Sequence, residues 1–442
     1  MAETYEILIK GGTVVNQDGV VKRDIAVSDG RIAALGDIAA GSAGEVIDAA
    51  GLTIIPGVID SQVHFREPGL THKEDLETGS RGAVLGGVTT VFEMPNTNPS
   101  TTTPERLGEK VAAAHHRMFC DFAFYVGGTE DNVEDIPELE RLPGSAGIKV
   151  FIGSSTGTLL VDNPAVLDRI IQKISRRAAF HAEDEGRLIQ RKDLRVAGDP
   201  SSHPVWRDEI AALMATRQLV GLAEKHNKRV HVLHISTAVE MEFLSAHKEW
   251  ASVEVTPHHL SLVAPDCYER LGTYCQMNPP VRDAKNQAGI WAGIANGVVD
   301  VLGSDHAPHT REEKDHTYPD SHSGMTGVQT LLPIMLDHVA AGRLSLERLV
   351  DLTSHGPQRL FGMRGKGRIA VGYDADLAIV DLKRTETITN AQVASRAGWT
   401  PYDGREVTGW PVGTFVRGRR VMWEGEIIGP ASGEAARFFE GG

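Results

Sequence analysis

Five side chains stand at the ends of short apolar runs spread along the chain: His64, Lys149, His181, His234 and Asp305. Three imidazoles, an amine and a carboxylate form a nitrogen and oxygen donor set suited to zinc or a neighbouring divalent metal. In VIDSQVHF, residues two apart share one face of an extended strand, so Gln62, His64 and Arg66 point the same way while the strand lasts. In RVHVLHIS the same rule groups His234 with Val230 and Val232 and turns His231 away, as a packed or helix-facing histidine. Each residue also has a plainer reading. A strand-end histidine is commonly structural, Lys149 could snorkel or pair with an acid, and Asp305 could cap a turn. Arg66 could pair with Glu67, Glu74 or Asp75. What favours a metal site is that all five occur together at matching ends of successive runs.

Something must bring those ends together. Between about Pro56 and Met363 eight β runs alternate with helical stretches: VIDSQVHF, VTTVFEM, CDFAFYVG, GIKVFI, RAAFHA, RVHVLHIS, SVEVTPHH and VDVLGSDH. Thr103-Pro104 and Asn163-Pro164 each place an N-cap before a proline at the first helical position. The pattern predicts an α/β fold, a (β/α)8 TIM-like barrel, with a doubly wound open sheet as the alternative. Barrel enzymes collect reactive groups at the C-terminal ends of strands, and the five residues fall on runs one, four, five, six and eight. Both ends of the chain read as hairpins, TYEILIKGGTVV first and GTFVRGRRVMWEGEII last. The expected organisation is a catalytic barrel over residues 56–363, with 1–55 and 364–442 forming a small β-sandwich domain from both termini.

A net charge of -14 argues against nucleic acid or an anionic membrane surface as partner. Three cysteines, Cys120, Cys267 and Cys275, are too few and too scattered for a disulfide framework. No apolar run approaches the roughly 18 residues that span a bilayer, and MAETYEILIKGG has no signal-peptide core. The cytoplasm is the expected location.

Several segments together are distinctive. VIDSQVHFREPGLTHKEDLETGSRGAVLGGVTTVFEMPNTNPSTT, GIKVFIGSSTG, FHAED, VLHIST, EVTPHHL, MNPPVR, GSDHAPHTREEK and GRIAVGYDADLAIVD resemble, in order, the dihydroorotases of the amidohydrolase superfamily. The resemblance spans roughly residues 7–425. It implies a cyclic amidohydrolase of pyrimidine biosynthesis that interconverts N-carbamoyl-L-aspartate and (S)-dihydroorotate, with one or two Zn2+ ions per subunit. His64, Lys149, His181, His234 and Asp305 match the metal ligands, Lys149 being the lysine that many relatives carboxylate. Asp305 matches the general base. Arg66, Asn96, Asn278 and His309 match the residues that hold the substrate. An amide is a poor electrophile, and a metal both polarises its carbonyl and lowers the pKa of water from ~15.7 to about 7. A planar guanidinium at Arg66 suits a carboxylate, which dihydroorotate carries and hydantoins and allantoin lack at that place. Members of the family are often dimers or larger.

One position departs from the pattern. The family usually carries HxH on strand one, where this chain has Gln62-Val63-His64. An amide oxygen is a weaker ligand than imidazole, so Gln62 is only a further candidate ligand and a one-metal site is workable. Gln329 stands where some relatives have glutamate. Two other readings follow: an allantoinase or hydantoinase, and a non-catalytic partner of a transcarbamoylase. His258 and His259 are expected to brace the pocket as structural groups. GSSTGT lacks the phosphate-loop pattern, and the loops 153–163 and 306–326 could close over substrate.

Overall fold

A computed structural model describes residues 5–153 and 159–439. Residues 154–158, most of GSSTGT and part of the 153–163 loop, lie outside the described residues. Eight parallel strands form the central sheet: β1 (Val58–Val63), β2 (Val88–Glu93), β3 (Asp121–Gly127), β4 (Ser145–Ile152), β5 (Ala178–Ala182), β6 (Val230–Val232), β7 (Ala251–Val255) and β8 (Val301–Leu302). Each pairs with its sequence neighbour. A bridge between Val63 and His306 draws β1 and β8 together, with His64 N–H donating to the His306 carbonyl at 2.7 Å. The result is the expected barrel, not an open sheet. Gly303, just past β8, has no room for a side chain, since a Cβ there would lie 2.7 Å from the Glu254 carboxyl.

The strands are apolar on both faces because helices cover the outside and side chains fill the inside. Val58, Val91, Phe122, Phe180, Val230 and Val253 belong to the large core under the helices. Ile59, Phe92, Tyr125, Ala179 and Phe361 belong to a second cluster, to which Phe438 of the chain's tail adds its ring. Thr103 and Asn163 cap the helices Pro104–Ala114 and Pro164–Lys173 with the expected proline at their starts.

The two ends of the chain interleave. A four-stranded sheet is built from Tyr5–Lys10, Asp24–Ser28, Arg31–Gly36 and Ala43–Asp48. In a seven-stranded sheet Leu377–Thr387 pairs with Thr53–Pro56, so the last part of the chain is hydrogen-bonded to the first. Ile9, Ile25, Ile47, Ile54, Leu377 and Phe415 pack between the two sheets. Full burial of each such side chain contributes about 1.5–3 kcal/mol.

One stretch leaves the sandwich. Ile388, Trp399 and Tyr402 pack with Leu262, Met277 and Met325 at the barrel's upper rim. Gln329 anchors that stretch: its amide donates to the Gln392 carbonyl at 2.7 Å and its Oε1 accepts from Ala394 N–H at 2.9 Å. Among the described residues no helix is long and apolar enough to cross a membrane, and the three cysteines are free and buried.

Candidate active site

At the C-terminal ends of the strands a cavity is lined by Gln62, His64, Lys149, His181, His234 and Asp305. Arg66, Asn96, Asn278 and His309 line it as well. All ten residues singled out in the sequence thus meet in one place, although β1 stops at Val63 and β6 at Val232. The chain turns sharply beyond each strand end. Arg66, His234 and Asp305 have φ of 65°, 38° and 47°, a left-handed conformation that costs a non-glycine residue of order 1–3 kcal/mol. Those turns aim the side chains at the cavity. Arg66, Asn96 and His309 also line an outer cleft of about 860 Å³ that continues from it.

Of the two readings of His231, the packed one holds. Its Nε2 lies 3.2 Å from Glu254 Oε2 and its ring packs edge-on against Phe361, inside the barrel. Val230 and Val232 are the residues of β6 that face outward, and the turn after Val232 carries His234 to the mouth. His258 and His259 are buried braces: His258 Nδ1 meets the Tyr402 hydroxyl at 2.9 Å, and His259 Nε2 meets the Pro279 carbonyl at 3.1 Å.

The donors form two pairs. His64 Nδ1 lies 2.7 Å from Asn96 Oδ1 and its Nε2 lies 3.2 Å from Asp305 Oδ1. Burial, only partly offset by Asp305, holds His64 below the usual imidazole range, which favours the neutral ring. His181 Nε2–H donates to Glu183 Oε2 at 2.9 Å, so its Nδ1 lone pair faces His234 Nε2 at 3.1 Å. Two nitrogens bound 2.0–2.1 Å from one tetrahedral ion lie roughly 3.3 Å apart, so this spacing fits a shared cation. Glu183 is fixed in turn by Arg207, with Nη2 at 2.5 Å and both residues buried. A carboxylate behind a histidine sets its tautomer and raises its basicity as a ligand.

Other polar atoms in the cavity are unsatisfied. Lys149 Nζ, Gln62 Oε1 and His234 Nδ1 are buried with no hydrogen-bond partner. Burial brings Lys149 down to about 7 against the opposing pull of Asp305 and Glu254, and its Nζ lies 4.3 Å from the Phe151 ring centre. Gln62 Nε2 donates to Asp305 Oδ1 at 3.0 Å, which turns its amide oxygen away from that carboxylate.

Arg66 pairs with none of the three nearby acids. Its Nε donates to the Pro308 carbonyl at 3.2 Å and Nη2 approaches His309 Nε2 at 3.3 Å. Glu67 is held by Arg117, Glu74 by Thr78, and Asp75 caps the helix Leu76–Leu85. Asn278 Oδ1 meets His203 Nε2 at 2.9 Å. His309, Glu313 and His322 bring three donor atoms within 4.8 Å of one another. An ammonium already serves two of the three: Lys73 Nζ lies 2.8 Å from Glu313 Oε1 and 3.2 Å from His309 Nδ1.

Glu183, Arg207, Lys73 and His203 were not singled out in the sequence. Glu183 lies two residues beyond His181, just past the end of β5 at Ala182. Arg207, 24 residues from Glu183, had no signal in the sequence.

The chain matches the Amidohydrolase family over residues 53–421. It is 35% identical to a dihydroorotase of Methanosarcina acetivorans, covering 99% of this chain and 96% of the relative. It is equally 35% identical to an L-hydantoinase of Paenarthrobacter aurescens, covering 96% of each chain. Among solved structures, the L-hydantoinase (dihydropyrimidinase) from Arthrobacter aurescens superposes with a TM-score of 0.93 at 32% identity, covering 98% of this chain and 100% of that one.

Proposed function

The chain belongs to the amidohydrolase family, and from that premise we propose that it is a metal-dependent dihydroorotase, which interconverts N-carbamoyl-L-aspartate and (S)-dihydroorotate. The observation that carries the choice of substrate is Arg66. A buried guanidinium lines both the inner cavity and the outer cleft without a carboxylate partner among the described residues, so an anionic group on the substrate completes its pairing. Dihydroorotate brings a carboxylate; a hydantoin or allantoin brings none at that place.

In this reading His181 and His234 hold a divalent metal, with His64, Asp305 and Lys149 as further ligands and Gln62 as a weaker candidate. Zn2+ suits the donor set. When bound, the metal polarises the ring carbonyl and makes water more acidic. Asp305 accepts the proton of the attacking water and returns it to the ring nitrogen as the C–N bond breaks. Gln62 holds that carboxylate in place through its amide N–H. Arg66 and His309 grip the substrate carboxylate, while Asn96 and Asn278 orient the ring. A Lys149 amine brought to about 7 by burial is partly neutral at physiological pH, the form that carbon dioxide carboxylates.

The reading includes the division into residues 1–55, 56–363 and 364–442, a cytoplasmic location and a homo-oligomer. Exposed Ile189, Leu194, Val196, Val205, Ile210 and Met214 supply apolar surface for a subunit contact. A monomeric mass in sedimentation at micromolar concentration would remove the oligomer.

The test is turnover of dihydroorotate, carbamoyl aspartate, a hydantoin and allantoin by the zinc-loaded chain. Dihydroorotate is expected to be preferred. Arg66→Ala should lower kcat/KM for dihydroorotate about 100-fold, the scale of one or two charge-assisted hydrogen bonds. Preferred turnover of an uncharged ring, insensitive to Arg66→Ala, would establish a hydantoinase or allantoinase instead.

A further inference from the structure

At the opposite end of the barrel, the turns into β5 and β6 and the end of the helix Gly356–Phe361 enclose a cavity of about 510 Å³. Its wall carries Arg176, Arg177, Lys228, Arg229 and Arg359, five cations in a chain of net charge -14. Some of these side chains are fixed by neutral acceptors. Arg177 Nη1 donates to the Val230 carbonyl at 3.1 Å and to Ser252 Oγ at 3.2 Å, and Lys228 Nζ to the Ile174 carbonyl at 2.6 Å. Among the described residues, Arg177, Lys228, Arg229 and Arg359 form no ion pair with a carboxylate. Asp300, the acid whose field reaches Arg177, is already engaged by Lys248.

Local structure does not neutralise this charge. The helices Pro164–Lys173, Glu209–Lys225 and Gly356–Phe361 all end beside the cavity. Each helix C-terminus offers about half a negative charge, so three offset roughly one and a half of the four positive charges on Arg177, Lys228, Arg229 and Arg359. Among the described residues four of these cations have no carboxylate partner, and like charges held together call for an anionic ligand. Guanidinium forks favour phosphate oxygens, and the cavity falls within the ~300–1,000 Å³ of small-molecule sites, well beyond the needs of one phosphate. Phe439, 53% exposed on the wall, offers an apolar face to the rest of such a molecule.

We propose that this cavity binds a small molecule bearing a pyrophosphate or triphosphate group, at a site separate from the catalytic mouth. Free pyrophosphate and a nucleoside triphosphate share the recognised chemistry, and calorimetric titration with pyrophosphate and with ATP, both without magnesium, distinguishes them. The full-length protein should bind one equivalent, more tightly at low salt. Binding should weaken about tenfold or more in the double variant Arg229→Ser, Arg359→Ser. Tighter binding of ATP than of pyrophosphate would add a role for Phe439. The ligand should raise the Tm of the wild type and not of the variant. Amide-ring hydrolysis by the variant should be unchanged, which also shows that it folds. The proposal is overturned if no saturable heat appears at millimolar concentration, or if wild type and variant bind equally. Tighter binding of a hexaglutamate peptide that displaces pyrophosphate would overturn it in favour of a protein partner.

Discussion

Arg66, His234 and Asp305 hold backbone conformations that L-residues avoid, and each sits just where a barrel strand gives way to the mouth. Strained φ values concentrate where surrounding structure over-determines them, and here they direct a guanidinium, an imidazole and a carboxylate into one cavity. Gln62 shows how much one residue can decide. Its amide N–H is committed to Asp305, and its oxygen has no hydrogen-bond partner, as Lys149 Nζ of the same cavity has none. An imidazole there would be a stronger ligand, so Gln62→His is expected to raise zinc content from about one to about two equivalents per chain, read by inductively coupled plasma mass spectrometry after dialysis. Two equivalents already present in the wild type would show that the amide oxygen ligates. His64, Lys149, His181, His234 and Asp305 were legible because strand ends can be read from runs of Val, Ile and Phe, whereas Asn96, Asn278 and His309 were reached only through the family resemblance. That His234 leaves the face of Val230 and Val232 was not legible. Alternation with period two assigns faces only while a strand continues, and β6 stops two residues before His234.

At the scale of elements, the eight runs correspond to the eight strands because buried parallel strands are continuously apolar and β-branched. Their pairing register shifts where the chain bulges, as between Asp60 and Val63. Long-range polar links left no such trace. Glu240, in the helix Ala238–Ser245, is buried and accepts from Thr216 and Thr237 hydroxyls, each at 2.8 Å. Burial outweighs those hydrogen bonds and raises its carboxyl from 4.5 to about 7. The folded state therefore keeps a proton that the unfolded chain releases above about 4.5. The resulting stabilisation is complete below that pH and is lost as pH rises through about 7. Glu240→Gln should flatten the decline in chemical-denaturation stability between those limits. An unchanged slope would mean that the carboxyl is ionised in the folded protein.

For the whole molecule, the join between sandwich and barrel is ionic as well as apolar. Lys366 is buried, with Asp121 of β3 at 2.7 Å, Asp374 at 3.5 Å and Asp376 closer still. Removing one member of such a buried network strands the others, so Lys366→Met should cost roughly 3–5 kcal/mol and lower the Tm substantially. A calorimetric Tm within a degree or two of wild type would show the cluster to be dispensable. The hairpin texture at both termini announced a shared β domain. Nothing in local sequence announced that residues near 390–402 would leave it, because that excursion depends on complementarity with a distant rim. Arg396 Nη2 reaches Asp75 Oδ2 at 2.5 Å, and Trp399 Nε1 donates to the His309 carbonyl at 2.8 Å.

That last hydrogen bond bears on the order of events during synthesis. When the ribosome has made the first 385 residues, every side chain assigned to the reaction already exists, yet the indole that steadies the His309 backbone does not. A nascent chain halted there would carry the chemistry without one wall of its cleft, so competence should arrive only after Trp399 has been made and has left the ribosome.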